Sequence, residues 1–181
     1  AVLGPAPSEA RIAAAEAAFP AWKARPAAER AALLERWHDL LLEHRKDLAR
    51  IMTAEQGKPL AEAEGEVLYG AGFIKWFAGE AERLIGETQD SPLGHLILTY
   101  REAVGPCALI TPWNFPAAML TRKLGPAFAA GCTAVVKPAS QTPFTAIALA
   151  ELAYRAGLPA GALSIVTGEA AVIGKALCDS P

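Results

Sequence analysis

The fold is decided by residues 107–143, which read CALITPWNFPAAMLTRKLGPAFAAGCTAVVKPASQTP. The stretch contains two short apolar runs, Cys107 to Ile110 and Thr133 to Val136, whose length is typical of buried strands. Between them, Pro116 to Ala130 is predicted to be a helix, and Gly131 stands where that helix should end. A strand, a helix and a second strand in this order predict a parallel pair joined by a crossover helix.

The same alternation continues along the rest of the sequence. A helix is predicted from Pro143 to Ala156, a strand from Leu163 to Val166 and a helix from Ala170 to Leu177. Thr142 and Pro143 supply an N-cap and a first-turn proline, and Gly157 stands where the helix should stop. The pattern therefore predicts an α/β fold whose parallel sheet has right-handed crossovers.

Upstream, residues 9–85 are predicted to be helical almost throughout, because apolar residues recur at three- and four-residue steps. Breaks at Arg25-Pro26 and at Gln56-Gly57-Lys58-Pro59 divide the stretch, so we expect three or four helices. The mixed-sign run from Glu43 to Asp47 is interpreted as a solvated helix face. These helices form a layer that leads into the sheet.

The character of the sequence changes after Gly86. Residues Glu87 to Gly94 are polar and turn-rich, whereas His95 to Arg101 has the length and residue types of a strand. We therefore predict three parts: a helical part in 1–86, a strand segment in 87–104 and the parallel sheet in 105–181.

Composition narrows the class of function. The 181 residues are 52% apolar and 20% charged, with a net charge of −2, so a nucleic-acid surface is not expected. No apolar run approaches the ~20 residues of a membrane span, so we expect no membrane partner. The three cysteines lack the spacing of a disulfide framework or a zinc site, and the three histidines are scattered, so no metal and a cytoplasmic location are predicted. The start without Met and the end at Ser180-Pro181 lead us to expect a fragment.

Three loops follow the predicted strands, where ligands bind in sheets of this kind: Thr111 to Phe115, Lys137 to Thr142, and Thr167 to Glu169. Asn114 either caps the next helix or donates a hydrogen bond to a developing oxyanion. Lys137 is either a solvated cation or, with Ser140, a site for a ribose hydroxyl or phosphate. Gly168 is either a turn glycine or a close backbone approach to a ligand. No glycine-rich nucleotide fingerprint follows these strands, so these alternatives stay open.

The runs Ile110-Thr111-Pro112-Trp113-Asn114-Phe115-Pro116 and Val136-Lys137-Pro138-Ala139-Ser140-Gln141-Thr142-Pro143 resemble the cofactor-domain signature of the aldehyde dehydrogenase superfamily. The resemblance extends upstream to Glu55-Gln56-Gly57-Lys58-Pro59 with Glu66, and downstream to Val166-Thr167-Gly168. Within the superfamily, Met119-Leu120-Thr121-Arg122-Lys123 is most similar to succinate-semialdehyde dehydrogenases. The likeness spans nearly the whole sequence.

The resemblance implies an incomplete aldehyde dehydrogenase fold. Its parts would be the helical part of the cofactor-binding domain in 1–86, a strand segment of the oligomerisation region in 87–104 and a truncated Rossmann-like NAD(P)-binding portion in 105–181. It also implies that the full-length parent oxidises succinate semialdehyde, or a similar short semialdehyde, through a cysteine thiohemiacetal with reduction of NAD(P). The catalytic cysteine and general-base glutamate are expected beyond Pro181, so this chain alone is expected to be inactive.

The resemblance also implies roles for individual residues. Asn114 matches the oxyanion donor, and Arg122 matches the arginine that binds the substrate's distal carboxylate. The implied cofactor contacts are Thr111, Trp113, Asn114, Lys137, Pro138, Ala139, Ser140 and Gly168. None of Cys107, Cys132 and Cys178 stands in the family's nucleophile context, so we expect all three to be structural.

Some family members hold a glutamate where this chain has Ser140, and that charge would repel a 2′-phosphate. We therefore expect NADP to be accepted at least as well as NAD. Family members associate through strands such as Leu96 to Arg101, so a homo-oligomer is expected for the parent. The alternatives are a catalytically inactive cofactor-binding or interaction module, and a related dehydrogenase for glutarate semialdehyde or a neutral aldehyde.

Overall fold

The structure is a computed structural model that describes residues 5–180. Four helices form the N-terminal layer, and a short 3-10 turn, Ala81–Arg83, follows the last of them. The helices are α1 (Pro5–Lys23), α2 (Ala27–Glu43), α3 (Arg45–Gln56) and α4 (Leu60–Glu80). The predicted helical stretch and both predicted breaks are confirmed, and Gly57 ends α3 in the left-handed conformation that glycine adopts without strain.

One break in the helical layer was not predicted. Helix α2 ends at Glu43 and α3 begins at Arg45, so the run from Glu43 to Asp47 crosses a helix junction and does not lie on one helix; its residues are exposed or half-buried, as predicted for a solvated face. His44 makes the junction with φ −91° and ψ 14°. No glycine or proline stands at this position, so the sequence pattern gave no indication that the helix ends there.

The core of the helical layer is built around Phe128, which α5 (Ala118–Ala130) inserts between two tryptophans. The Phe128 ring lies 6.1 Å from Trp22 of α1 and 6.1 Å from Trp37 of α2, and all three side chains are fully buried. The indole Nε1 of Trp37 donates to the backbone carbonyl of Leu149 in α6 (Pro143–Arg155) at 3.1 Å. Aromatic packing therefore joins the helical layer to the helices that flank the sheet.

The segment Glu87 to Gly94 was predicted to be turn-rich, which is wrong for Glu87–Asp90, a strand, and confirmed for residues 91–94, which form the turn after it. Strand β1 (Glu87–Asp90) pairs antiparallel with β2 (Leu96–Thr99), and the pairing begins at Glu87 opposite Thr99. All eight residues of the hairpin strands are exposed. Since neither face is buried, β1 lacks the apolar alternation by which a strand is recognised in sequence.

The second sheet is parallel, as predicted, with the order β3-β4-β5. Its strands are β3 (Cys107–Ile110), β4 (Ala134–Lys137) and β5 (Leu163–Ile165). Along β4, Ala134 and Val136 belong to the main core, whereas Val135 packs in a second cluster with residues of α1 and of α7 (Ala170–Asp179). Both faces of the sheet are therefore covered by helices, which explains its continuous apolar strands.

The chain thus has the predicted α/β architecture, a helical layer leading into a Rossmann-like parallel sheet. Its division at residues 86 and 104 into functional parts stays a prediction. Within residues 5–180, no helix combines the length and the apolar character needed to cross a membrane.

Candidate functional site

The three predicted ligand loops lie side by side at one edge of the parallel sheet. Because β4 pairs with both neighbours in parallel, the carboxyl ends of all three strands face the same way. The Thr111 amide donates to the Lys137 carbonyl at 3.2 Å, which extends the pairing of β3 and β4 to the start of their loops. The loops of residues 111–116, 137–142 and 167–169 therefore extend from the same edge of the sheet.

Asn114 does not cap helix α5. Its side chain is exposed and makes no hydrogen bond to any residue that the structure describes. The amides of Ala117 and Ala118 instead donate to Oε1 of Glu66, at 2.9 and 3.2 Å. The capping interpretation of Asn114 is therefore wrong, and its amide is available to a ligand.

The backbone beneath the Asn114 side chain is held by the last residue of α3 and by the α3–α4 connection. Gln56 Nε2 donates to the carbonyls of Trp113 and Asn114, at 3.2 and 2.8 Å. Lys58 Nζ donates to the Asn114 carbonyl at 3.0 Å and lies 4.1 Å from the centre of the Phe115 ring. The ammonium also pairs with the buried Glu66 carboxylate. A loop on the surface is thus fixed by four contacts from another part of the chain.

Glu55 accepts hydrogen bonds from the N-terminus of α6, as Glu66 does from the N-terminus of α5. Its carboxylate accepts from the Phe144 amide at 2.7 Å and the Thr145 amide at 2.9 Å, and the Thr145 hydroxyl also donates to it. Thr142 occupies the predicted N-cap position, but its hydroxyl is buried without a partner among the described residues, so the predicted capping bond is wrong. A carboxylate at a helix N-terminus is favoured by the exposed amides and by the helix dipole.

Sequence reasoning missed the parts played by Glu55, Gln56, Lys58 and Glu66. All four had been noted within the family resemblance, yet no role was assigned to them. A usable signal was present, since neither α5 nor α6 has an acidic residue in its first turn. Helices that begin without their own cap need acceptors from elsewhere.

Lys137 is buried, with 4% of its surface exposed, so its interpretation as a solvated cation was wrong. Its Nζ donates to the Pro138 carbonyl at 2.9 Å and lies 3.5 Å from Ser140 Oγ. Burial lowers the pKa of the Lys137 ammonium. The predicted pairing of Lys137 with Ser140 is thus present, with the ammonium beneath an exposed hydroxyl.

An open cavity of about 610 Å³ lies beside Ser140, between the second and third loops. It is lined by Pro138, Ala139, Ser140, Pro143, Thr167, Gly168 and Glu169. Its size is within the range of about 300–1,000 Å³ typical of cofactor pockets. Gly168 has φ +154°, a backbone conformation that favours glycine. Ser140 thus offers a hydroxyl to the cavity, with the Lys137 ammonium 3.5 Å from it.

The sequence analysis did not consider Glu169. This carboxylate lines the same cavity and is exposed, so it opposes the binding of an additional phosphate. The local charge is therefore set by Lys137 and Glu169 together, and not by the neutrality of Ser140 alone.

Arg122 lies on α5, which follows the Asn114 loop, and its side chain is exposed. The guanidinium lies 5.4 Å from the centre of the Phe73 ring and 3.9 Å from Met119 Sδ. No carboxylate among the described residues lies within ion-pair distance of it. Packing against an aromatic ring and a thioether restrains the guanidinium and leaves its charge free for an anionic ligand.

None of the cysteines lies at the ligand edge of the sheet. Cys107 begins β3 and Cys132 precedes β4, so both lie at the opposite end, about 13 Å of strand from the loops. A hydrogen bond with the Cys107 thiol lowers the pKa of Cys132 to about 6, while the same contact raises the pKa of Cys107. Cys132 is nevertheless 4% exposed, so an aldehyde cannot reach it. Cys178 is exposed on α7.

Comparison with known proteins gives consistent matches. The sequence profile of the aldehyde dehydrogenase family matches residues 4–181. The chain is 55% identical to the NADP(+) succinate-semialdehyde dehydrogenase GabD of Escherichia coli, over 99% of this chain and 37% of that protein. It is 56% identical to a glutarate-semialdehyde dehydrogenase of Pseudomonas putida, over 97% of this chain and 37% of that protein.

A solved structure of similar shape is the crystal structure of an E. coli NADP-dependent enzyme. It superposes with a TM-score of 0.98 at 55% identity, covering 99% of this chain and 38% of that one. The chain therefore spans a little over a third of the length of the relatives it matches.

Proposed function

This chain belongs to the aldehyde dehydrogenase family, and from that membership we propose that the full-length protein oxidises a short aldehyde that carries a distal carboxylate. Succinate semialdehyde is the substrate we favour, and NAD(P) is the proposed oxidant. The observation that supports the proposal most is the side-chain amide of Asn114, which is unpaired among residues 5–180 and stands on a fixed backbone. Its amide has no partner within the described residues, while its backbone is held by Gln56 and Lys58.

The proposed role of Asn114 follows from the charge that develops during the reaction. Addition of a thiolate to an aldehyde carbonyl places negative charge on the oxygen, and a fixed amide donor stabilises that charge. No cysteine within the described residues lies at the ligand edge, so the thiolate and the general base would come from sequence outside these 181 residues. Asn114 would then donate to the oxyanion without reorganisation of its loop.

The adenosine end of NAD(P) is proposed to bind in the cavity beside Ser140. Lys137 and Ser140 would donate to ribose or phosphate oxygens. The backbone of Pro138, Ala139 and Gly168 would line the site. Thr111 and Trp113 would contact the nicotinamide half of the cofactor. When bound, the cofactor supplies the hydride acceptor. The support is the cavity of about 610 Å³, the Ser140 hydroxyl in its wall and the Lys137 ammonium 3.5 Å from that hydroxyl.

Arg122 is proposed to bind the substrate's carboxylate, and Arg122→Ala tests that assignment. In the full-length protein we expect the KM for succinate semialdehyde to rise about 10- to 100-fold, because a charge-assisted hydrogen bond is lost. The KM for butanal, which has no carboxylate, should change by less than about threefold. Lys123→Ala removes the neighbouring exposed cation and is the matched control. Equal changes in KM for both aldehydes would contradict the assignment.

NADP is proposed to be accepted at least as well as NAD, and Ser140→Glu tests why. The added carboxylate would face a 2′-phosphate, so the KM for NADP should rise about 10- to 100-fold while the KM for NAD stays within about threefold. Glu169→Gln, which removes the carboxylate already at the cavity, should shift the preference towards NADP. The measurement is a titration of each cofactor at saturating aldehyde, and a large preference of the unmodified protein for NAD would refute the proposal.

A second candidate substrate is glutarate semialdehyde, which is the substrate of a similar protein. It has one methylene more than succinate semialdehyde and keeps the distal carboxylate that Arg122 would bind. A catalytically inactive module that retains part of a cofactor surface is the alternative of a different class. We also propose that the full-length protein is cytoplasmic and forms a homo-oligomer. The oligomer is supported by Leu96 and Leu98 of β2 and by Tyr100 just after it, which are 62%, 66% and 76% exposed. Sedimentation of the full-length protein measures the oligomer directly.

A further inference from the structure

The C-terminal end of α3 and the α3–α4 connection contact both the Asn114 loop and the start of α6, by separate residues. Glu55 accepts from the backbone at the start of α6, which follows the Ser140 loop. Gln56 and Lys58 donate to carbonyls of the Asn114 loop. Glu55, Gln56 and Lys58 are not themselves proposed to touch the aldehyde or the cofactor. Three residues within positions 55–58 thus contact the Asn114 loop and the helix that follows the Ser140 loop, and the strands that precede these loops, β3 and β4, are adjacent.

Gln56 is the residue whose contacts most directly affect the Asn114 side chain. Its amide bridges two successive carbonyls, those of Trp113 and Asn114, which restricts rotation of the backbone on both sides of the Asn114 Cα. The direction of the Asn114 side chain depends on that backbone. A displacement of about 1 Å at a reacting group can cost about 100-fold in rate.

We propose that Gln56 is a positioning residue for the Asn114 amide, and that Glu55 separately positions the Ser140 loop. The proposal rests on the proposed function in so far as Asn114 is the oxyanion donor. Gln56 itself makes no contact with substrate. Its substitution should therefore lower kcat, and substitution of Glu55 should instead raise the KM for the cofactor.

The kinetic test is a double-mutant cycle in the full-length protein. Gln56→Met has nearly the same size and removes both donated bonds, so we expect kcat with succinate semialdehyde to fall about tenfold with the cofactor KM unchanged. In the Asn114→Ala background the same substitution should have almost no further effect, because the amide that Gln56 positions is gone. If the two losses multiply, Gln56 acts by another route and the proposal is overturned. Gln56→Glu, which points a carboxylate at two carbonyl oxygens, should lower kcat further than Gln56→Met.

Hydrogen exchange provides a readout that does not depend on activity. In Gln56→Met, the amides of residues 113–118 should exchange faster, whereas those of residues 139–146 should not change. Glu55→Gln should produce the reverse pattern. Glu62→Gln alters an exposed carboxylate in the first turn of α4 and is the matched control, expected to change neither segment. Unchanged exchange of residues 113–118 in Gln56→Met would overturn the proposal even if activity fell.

The two measurements also separate this proposal from the proposed function. If the unmodified protein oxidises none of the carboxylate-bearing aldehydes, the proposed function fails and exchange alone decides whether Gln56 holds the loop. If the protein is active and exchange does not respond to Gln56→Met, the function stands and the positioning role fails.

Discussion

Replacement of Asn114 by Ala in the full-length protein is expected to lower kcat with succinate semialdehyde by about 100- to 1,000-fold, the loss typical when one oxyanion donor is removed. The amide is exposed and has no partner within the described residues, so its removal breaks no internal hydrogen bond. Stability should therefore change little, and the loss should appear in kcat rather than in the melting temperature. The measurement is steady-state reduction of NAD(P) at saturating aldehyde.

Two further variants make this prediction specific. Asn114→Asp keeps the shape of the side chain and replaces the donor with a charge that repels an oxyanion, so its kcat should be at least as low as that of Asn114→Ala. Gln141→Ala removes an exposed carboxamide from the neighbouring loop and should leave kcat within about twofold. A fall of less than about threefold in Asn114→Ala would contradict the proposed role of the amide.

Replacement of Glu66 by Ala is expected to reduce the free energy of unfolding by about 3–5 kcal/mol, the cost of removing one partner from a buried ion pair. The Glu66 side chain is 1% exposed and that of Lys58 is 10% exposed, so the remaining ammonium would be left buried without its counter-ion. The substitution also leaves the amides of Ala117 and Ala118 without an acceptor.

Urea unfolding of the full-length protein, followed by tryptophan fluorescence, measures this effect. Glu62→Ala is the matched control, because Glu62 lies one turn earlier on α4 and is exposed; its free energy of unfolding should change by less than about 0.5 kcal/mol. The loss in free energy of unfolding for Glu66→Gln should lie between those of Glu66→Ala and Glu62→Ala, since the amide oxygen of Gln still accepts from the α5 amides while the charge is lost. Equal urea midpoints for Glu66→Ala and Glu62→Ala would show that the buried pair does not stabilise the fold.

The strands and helices around the candidate site could be predicted because each carries a local signal. Cys107 to Ile110 was predicted as a strand with both ends correct, and α6 was predicted from Pro143 with an error of one residue at its C-terminal end. Strand β1 was missed because both its faces are exposed, so burial imposed no pattern on its residues. The junction at His44 was missed because no glycine or proline marks it.

The candidate site was predicted less completely than the fold. Position along the strands placed Asn114, Lys137, Ser140 and Gly168 at the ligand edge, but it did not predict the burial of Lys137 or the presence of Glu169 in the cavity. Gln56 is separated from Trp113 by 57 positions in the sequence and from Asn114 by 58. A pattern within one segment cannot predict contacts over such separations.

The sequence by itself determined the helical layer, the alternation of strands and helices in the parallel sheet, and the family, because these depend on periodicity, on turn residues and on motifs read within one segment. Only the tertiary structure decided which groups cap α5 and α6, that the Asn114 amide has no partner among residues 5–180, and that Lys137 is buried beneath Ser140. Those features depend on contacts between segments far apart in the chain. Such contacts depend on how the helical layer packs against the sheet. The sequence next to each residue does not show which distant residue it will contact.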